Sequence, residues 1–271
     1  MFHSEALGRR LERANLWRPP VAEISPEVRS TERKRSPLWG VATIEVAERE
    51  RASEGNSRAP MTEKESTMNE SKARVAVLVS GGGTNLQAIL DAQAKGILQH
   101  GRVELVIANN PGAYALERAK QAGVSALVIT RKERGSQEAF EQGIVEALEA
   151  NHIDLIVLAG FMSILSESFT RRYDHRILNV HPSLIPSFCG QGFYGLKVHE
   201  AALAKGVKVT GATVHFVNEI PDGGEIIAQK AVRVYPGDTP ERLQQRVMRQ
   251  AEWKILPAAV EQISAQIVKE K

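Results

Sequence analysis

Apolar runs and helical segments alternate from Arg74 onward, and this alternation constrains the fold more than any other feature of the sequence. Four runs are short, continuously apolar and rich in β-branched residues, as strands buried on both faces are. They lie at 74–80, 103–109, 125–130 and 154–160. Helical patterns lie between them, at 85–95, 115–123 and 137–150. Successive strand–helix–strand units predict an α/β fold with a doubly wound, mainly parallel sheet.

The chain after residue 176 has a different strand pattern. One strand is expected within 177–183, and two more, at 209–217 and 225–234, are joined by a Pro-Asp-Gly-Gly turn that is typical of an antiparallel hairpin. The glycine-rich segment 187–199 is expected to be a mobile loop that covers the site and excludes water. A final helix is expected from about Thr239.

Residues 1–70 are unlike the rest of the chain. They contain 12 Lys and Arg and 12 Glu but no Asp, and their apolar residues keep no helical or strand period for long. Such a segment cannot bury enough apolar surface to offset its chain entropy, so we expect a disordered polar extension at 1–70 and a folded domain at 71–271. Neither a secretory signal nor a transit peptide fits it. Since Met61 and Met68 lie just before the folded part, a mis-assigned start is a second explanation.

Composition excludes several kinds of protein. No run of eighteen or more apolar residues is present, so no membrane partner is expected. Cys189 is the only cysteine, which excludes an internal disulfide and favours a cytoplasmic protein without a cysteine-based metal site. The formal net charge is only +3, and the Lys and Arg residues are scattered, so no nucleic-acid partner is expected.

The segment Ser80-Gly81-Gly82-Gly83-Thr84-Asn85 lies between the first strand and the first helix. Glycines let the backbone approach a ligand closely, and a helix N-terminus offers free N–H groups to an anion, so a phosphate is the expected ligand. The segment matches neither the Walker pattern nor the dinucleotide-binding pattern. The alternative is a tight turn without a ligand, in which Thr84 or Asn85 caps the helix.

Polar residues also lie near the ends of the C-terminal strands. Asn179 and His181 are two apart, so their side chains share one face of a strand, at the edge where α/β sheets bind ligands. His215 ends another apolar run, and Asp222 lies in the turn beyond it. The alternatives are a structural histidine and an ordinary turn aspartate. A metal site of His181, His215 and Asp222 has no supporting HxH or HExxH spacing. By themselves these residues predict only a polar site at the sheet edge.

Five segments, taken together, resemble the phosphoribosylglycinamide formyltransferase family. They are SGGGTNLQAIL (80–90), LAGFMSIL (158–165), ILNVHPSLIP (177–186), GATVHFV (211–217) and PDGGEII (221–227), and they occur in the order and spacing of that family. The resemblance covers about 74–258. It implies the formyltransferase fold, with a Rossmann-like parallel N-terminal half and a mixed, partly antiparallel C-terminal half.

The resemblance also implies a reaction and the residues that carry it. The formyl group of the co-substrate 10-formyltetrahydrofolate would pass to the amine of glycinamide ribonucleotide, a step of purine (IMP) biosynthesis, without a metal. The ribonucleotide would contact Gly83, Thr84 and Asn85 through its phosphate and Glu252 through its ribose. The folate would lie beside Met162, Ser163, Ile164, Leu165, Asn179 and Gln137. The catalytic residues would be Asn179, His181, Asp222 and His215.

The expected chemistry is direct attack of the amine on the formyl carbon. Asn179 and a protonated His181 would stabilise the oxyanion, Asp222 would raise the pKa of His181, and a water held by Asp222 and His215 would carry the proton. Two departures concern the glutamate tail of the folate: members of the family often have Arg where this chain has Ser163 and Gln137. Their absence is expected to weaken the contact with the tail and to leave the transfer chemistry untouched.

Three other functions compete with this interpretation. A formyltetrahydrofolate hydrolase shares the Asn, His and Asp but passes the formyl group to water, and the phosphate loop argues against it. A methionyl-tRNA formyltransferase needs a further C-terminal barrel, which the chain ending at Lys271 does not provide. A non-catalytic nucleotide-binding module explains only the first half of the chain. The small-molecule enzyme is expected to be a monomer or a homodimer.

Overall fold

The computed structural model describes residues 72–271, and the expected extension at 1–70 lies outside this part of the chain. Within residues 72–271, seven strands form a single sheet. They are β1 (Ala73–Val79), β2 (Gly101–Ala108), β3 (Ser125–Val128), β4 (Leu155–Leu158), β5 (Ile177–His181), β6 (Val209–Phe216) and β7 (Ile226–Arg233). Their spatial order is β3-β2-β1-β4-β5-β6-β7.

In this described part of the chain, eight α-helices and one π-helical turn accompany the sheet. The helices are α1 (Thr84–Ala94), α2 (Ala115–Gln121), α3 (Arg131–Arg134), α4 (Gln137–Ala150), α5 (Glu167–Arg172), α6 (Leu196–Lys205), α7 (Pro240–Val247) and α8 (Trp253–Glu270). The π-helical turn, Met248–Glu252, joins α7 to α8. No helix of the described residues combines the length and the hydropathy that a membrane crossing requires.

The pairing of the strands confirms the predicted α/β class. Strands β1 to β5 pair in parallel, whereas β6 pairs antiparallel with both β5 and β7. The predicted hairpin is therefore present, with Thr213 opposite Gln229. The N-terminal half is parallel and the C-terminal half is mixed, as expected.

Both faces of the sheet are covered by helices. Along β1, the side chains of Val75, Val77 and Val79 belong to one apolar core, which includes residues of α1 and α8. The intervening Ala76 and Leu78 belong to a second core, which includes residues of α4 and α5. This alternation of sides explains why β1, β2 and β4 are almost continuously apolar, since each side of these strands faces a helix layer. The edge strand β3 is exposed at all four residues, so the prediction that it is buried on both faces is wrong.

Three helices were not predicted from the sequence. Helices α3 and α5 span only four and six residues, too few to display a helical period, and they begin at the capping side chains of Thr130 and Ser166. Helix α6 begins at Leu196, so the last four residues of the predicted loop 187–199 are helical. The expected final helix does begin after Thr239, whose side chain caps α7, but the π-helical turn divides it in two.

The topology creates a crevice beside β1. The neighbours of β1 are β2 and β4, so the chain leaves the C-terminal ends of β1 and β4 toward opposite sides of the sheet. Ligands bind to α/β sheets at such a switch point. The glycine-rich loop follows β1 and the segment 159–165 follows β4, and the two are joined by a hydrogen bond from the Met162 N–H to Ser80 Oγ (2.8 Å).

Candidate active site

A cleft of about 980 Å³ opens at this edge of the sheet. One wall comes from the loop after β4, the ends of β5 and the glycine-rich loop before α6, and the other comes from α1, α7 and the π-helical turn. The predicted residues that line it are Asn85, Met162, Ser163, Ile164, Asn179, His181, Asp222 and Glu252. The fold therefore brings together most of the predicted site.

The glycine-rich loop is held tightly at the start of α1. Gly83 caps α1 in the left-handed conformation (φ 68°), so the alternative in which Thr84 or Asn85 acts as the cap is wrong. A Cβ on Gly83 would lie 2.7 Å from Ala115 Cβ, so glycine is required for conformation and for space. Arg118 Nε donates to the Gly82 carbonyl (2.8 Å). The loop carbonyl is therefore occupied, and the first N–H groups of α1 are left for an anion.

Asn85 and Glu252 form a buried polar pair on the cleft wall. Asn85 Nδ2 donates to Glu252 Oε2 at 2.7 Å, while Asn85 Oδ1 is buried without a hydrogen-bond partner among residues 72–271. Burial raises the pKa of Glu252 to about 7, although the bond from Asn85 acts in the opposite direction. Glu252 is the last residue of the π-helical turn, and such turns recur at functional sites. An orphaned acceptor and a half-ionised carboxyl together suit a ligand with hydroxyl groups.

Asn179 is oriented by His215, its partner on the neighbouring strand. Their Cα atoms are paired across β5 and β6, and Asn179 Nδ2 lies 3.1 Å from His215 Nε2. His215 Nδ1 lies 2.7 Å from the Phe216 carbonyl, so Nδ1 carries the proton and Nε2 accepts from the asparagine. The second N–H of the Asn179 amide remains available on the cleft side. His215 itself lines a smaller adjoining pocket of about 150 Å³ and does not line the cleft.

Asp222 lies between the two histidines. The residue lies in the turn between β6 and β7 and has a positive φ of 57°. The Gly190 N–H donates to Oδ2 (2.8 Å), His181 Nδ1 lies 3.4 Å from Oδ2, and His215 Nε2 lies 3.5 Å from Oδ1. Burial raises the pKa of Asp222, but the hydrogen bond from the Gly190 N–H and the two neighbouring imidazoles outweigh it, so the pKa lies below its ordinary value. Asp222 is therefore ionised at neutral pH.

The pKa of His181 lies below its ordinary value, so the expectation of a raised pKa is wrong. Burial lowers its pKa and outweighs the opposing charge of Asp222 and the hydrogen bond to Phe188. The ring is 4% exposed, and its Nε2–H donates to the Phe188 carbonyl at 2.8 Å. Nδ1 is then the basic nitrogen, and it faces Asp222. Before the reaction begins, His181 can therefore accept a proton at Nδ1 but cannot supply one from that nitrogen.

Sequence analysis missed His199, which also lines the cleft. The residue is fully buried on α6, and neither ring nitrogen has a hydrogen-bond partner among the described residues. Burial and the neighbouring His181 lower its pKa to about 4. The sequence signal that could have indicated it is Gly195, because this glycine, with a positive φ of 54°, ends the loop and caps the helix that carries His199.

The segment after β4 presents two exposed apolar side chains to the cleft. Met162 is 56% and Ile164 is 75% exposed, whereas Leu165 is buried beneath them. Ser163 Oγ accepts from Asn109 Nδ2 at 2.8 Å. Gln137 lies outside the cleft and lines a shallow pocket next to it.

Thr84 also lies outside the main cleft, at a separate groove between α1 and α8. Within residues 72–271, no group of three or more His, Cys, Asp or Glu side chains is arranged to hold a metal ion. Cys189 Sγ donates to the Pro186 carbonyl (3.3 Å) and burial raises its pKa, which does not suit a nucleophile.

Comparison with known proteins gives a consistent result. The formyl transferase family model matches residues 73–260. The chain is 41% identical over 187 residues to phosphoribosylglycinamide formyltransferase of Haemophilus influenzae, covering 69% of this chain and 85% of that protein. It is 45% identical over 199 residues to the trifunctional purine biosynthetic protein adenosine-3 of Bos taurus, covering 73% of this chain and 19% of that protein. The chain thus spans less than a fifth of such trifunctional relatives.

Solved structures are similar over the same region. The crystal structure of glycinamide ribonucleotide transformylase 1 from Symbiobacterium toebii has a TM-score of 0.68 and 43% sequence identity, covering 73% of this chain and 90% of that one. Phosphoribosylglycinamide formyltransferase from Brucella melitensis has a TM-score of 0.66 and 40% identity, covering 72% and 96%.

Proposed function

Because the chain belongs to the formyl transferase family, we propose that it transfers the formyl group of 10-formyltetrahydrofolate to the amine of 5′-phosphoribosylglycinamide. The products are formylglycinamide ribonucleotide and tetrahydrofolate, and the reaction belongs to purine (IMP) biosynthesis. Both substrates are small molecules, no metal takes part, and the single cysteine suits a cytoplasmic enzyme.

One juxtaposition carries the proposal. The cluster of Asn179, His181 and Asp222 and the buried pair of Asn85 and Glu252 line the same cleft. The first group suits a reacting carbonyl, and the second lies next to the glycine-rich loop and suits a phosphorylated ribose. A hydrolase would need only the first group, since water requires no phosphate loop. The pair on the opposite wall therefore favours transfer to a ribonucleotide.

The reaction begins with attack of the neutral amine on the formyl carbon. The carbon–nitrogen bond that forms leaves a negative charge on the formyl oxygen and a positive charge on the attacking nitrogen. The free N–H of Asn179 donates to that oxygen, and His215 keeps the amide in this orientation through its bond to Nδ2. No protein nucleophile is needed, because the amine itself forms the new bond.

The proton must then move from the amine to N10 of the folate. Neutral His181 accepts it at Nδ1, where the ionised Asp222 (3.4 Å away) stabilises the resulting imidazolium. The positive charge of the imidazolium also stabilises the negative charge on the formyl oxygen. His181 then returns the proton to N10, the bond between N10 and the formyl carbon breaks, and tetrahydrofolate leaves. This path needs His181 neutral at the start, as its lowered pKa provides.

Two variants test the proposal. Asn179→Ala removes an oxyanion donor and His181→Asn removes the proton acceptor, so each should lower kcat by about 100- to 1,000-fold. His152→Asn is the matched control, because His152 is exposed in the turn before β4, at the opposite edge of the sheet. The measurement is steady-state formation of tetrahydrofolate, with circular dichroism to check folding. A folded Asn179→Ala or His181→Asn with the control's kcat would refute the assignment.

A further inference from the structure

A second depression, the α1–α8 groove, has a volume of about 400 Å³. Its walls come from α1 and the residues just after it, from Arg118 of α2, and from the first turns of α8. It shares no lining residue with the catalytic cleft. Small-molecule sites have volumes of roughly 300–1,000 Å³, so the groove is large enough to hold a ligand of its own.

The inner lining of the groove is apolar and includes an indole. Ala88 and Ala92 come from α1, and Trp253 and Pro257 come from α8. Alanine side chains are short and leave space between the two helices, and aromatic ligands pack favourably on an indole ring. The Nε1–H of Trp253 is buried and has no hydrogen-bond partner among residues 72–271. A buried donor without a partner is unfavourable, and a ligand with an acceptor atom removes that cost.

The charged side chains of the groove are mainly positive. Three cations, Lys95, Arg118 and Lys254, line it together with one carboxylate. That carboxylate, Asp91, accepts from Gln87 Nε2 (2.8 Å), and Gln87 Oε1 accepts from Arg118 Nη1 (2.9 Å). Lys95 and Lys254 are exposed and form no ion pair with any acidic side chain in the part of the chain that the structure describes. The unengaged charge is therefore positive and suits an anion.

We propose that the α1–α8 groove binds a small aromatic anion, a flat ring system that carries a sulfonate, carboxylate or phosphate group. The ring packs between the two helices against Trp253, and the anionic group pairs with a lysine of the rim, Lys95 or Lys254. The site is separate from the proposed reaction, because it uses neither the formyl donor nor the ribonucleotide. Its test is therefore a binding measurement that stands whether or not formyl transfer is observed.

The shape of the groove favours a small molecule over a protein partner. Ile97, at 54% exposed, is the only one of the large exposed apolar side chains of residues 72–271 that lines the groove, and Pro257 is buried inside it. A stable protein interface covers about 800 Å² on each partner and has a broad apolar centre. The apolar surface here lies within the depression, where a ring reaches it more readily than the face of another protein does.

The experiment titrates the full chain with two fluorescent probes that share one ring system. One is the anion 8-anilinonaphthalene-1-sulfonate, and the other is N-phenyl-1-naphthylamine, which lacks the sulfonate. The anion should bind more tightly. The double variant Lys95→Met/Lys254→Met should weaken binding of the anion by about two- to fivefold, without weakening binding of the neutral probe, since solvent screens exposed ion pairs. Lys269→Met, an exposed lysine of α8 that does not line the groove, should behave like the wild type.

A second variant assigns the binding to the groove. Ala258 lines the groove and is exposed, so Ala258→Phe fills the space without disturbing the core and should abolish the saturable binding of both probes. Ala94→Phe, at an exposed position of α1 outside the groove, is the matched control and should bind like the wild type. Both variants keep the catalytic cleft, so the difference between them excludes probe bound in the cleft. Circular dichroism checks that each variant is folded.

Three results would overturn the proposal. Equal affinity of the wild type and a folded Ala258→Phe for the anionic probe would place the probe elsewhere on the protein. Equal affinity for the two probes, unchanged in the double lysine variant, would exclude an anion as the ligand. A dimer in sedimentation velocity that Ala258→Phe dissociates would identify a second copy of the chain as the occupant of the groove.

Discussion

The substitution Glu252→Gln tests the buried pair on the ribose side of the cleft. The carboxyl is 6% exposed and accepts a hydrogen bond from Asn85 at 2.7 Å. Glutamine keeps the size of the side chain and an oxygen that can accept the same bond, but it does not titrate. The variant therefore removes the cost of a buried charge while it leaves the packing almost unchanged.

The effect on stability depends on pH. Burial raises the pKa of Glu252 from 4.5 to about 7, so the folded protein holds this proton more tightly than the unfolded chain does. A group whose pKa is raised by folding contributes fully to the free energy of unfolding below its unfolded pKa. This contribution disappears as the pH rises through its folded pKa. The wild type should therefore lose stability relative to Glu252→Gln between about pH 4.5 and pH 7.

The expected size follows from the same shift. Each pKa unit corresponds to about 1.4 kcal/mol, so a rise from 4.5 to about 7 corresponds to about 3 kcal/mol. Urea unfolding of both proteins, followed by circular dichroism across this pH range, gives the difference in their free energies of unfolding. Groups common to both proteins cancel in that difference. A difference that stays constant from acid to alkaline pH would refute the raised pKa of Glu252.

The remaining predictions concern the loop and the acid. Gly83→Ala should raise KM for the ribonucleotide, because φ is 68° and the added Cβ would lie 2.7 Å from Ala115 Cβ. Gly82→Ala is the control, because its Cβ would meet no atom of the described residues within 4 Å, and its KM should not rise. Equal KM values for the two variants, measured by initial rates, would show that the loop does not need glycine at position 83. Asp222→Asn should lower kcat by about 100-fold or more without a large change in KM. Asparagine can still accept the hydrogen bond from the Gly190 N–H, but it has no charge to stabilise the imidazolium of His181. An unchanged kcat, measured under saturating substrates, would show that Asp222 takes no part in the proton transfer.

The strands and the strand-end residues were predictable because their signals are local. A strand covered on both sides must be apolar throughout, so β1, β2 and β4 are visible in the sequence. Asn179 and His181 interrupt such a run, and polar residues at a strand end belong to the ligand edge of the sheet. The antiparallel hairpin was likewise predicted from its turn residues.

The charge of His181 and the two-part final helix were not predictable, because they depend on three-dimensional surroundings. A sequence places Asp222 near His181, but it does not give the degree of burial that outweighs this carboxylate. The π-helical turn before Trp253 is set by packing and by the Asn85–Glu252 bond across 167 residues.

The central claim is that the cleft transfers a formyl group to a phosphorylated ribosyl amine. The direct test supplies 10-formyltetrahydrofolate with and without 5′-phosphoribosylglycinamide and follows both tetrahydrofolate and the formylated ribonucleotide. We predict that tetrahydrofolate appears only when the ribonucleotide is present and in equal amount to its formylated product. Release of tetrahydrofolate and formate at the same rate without the ribonucleotide would contradict the claim and identify a hydrolase.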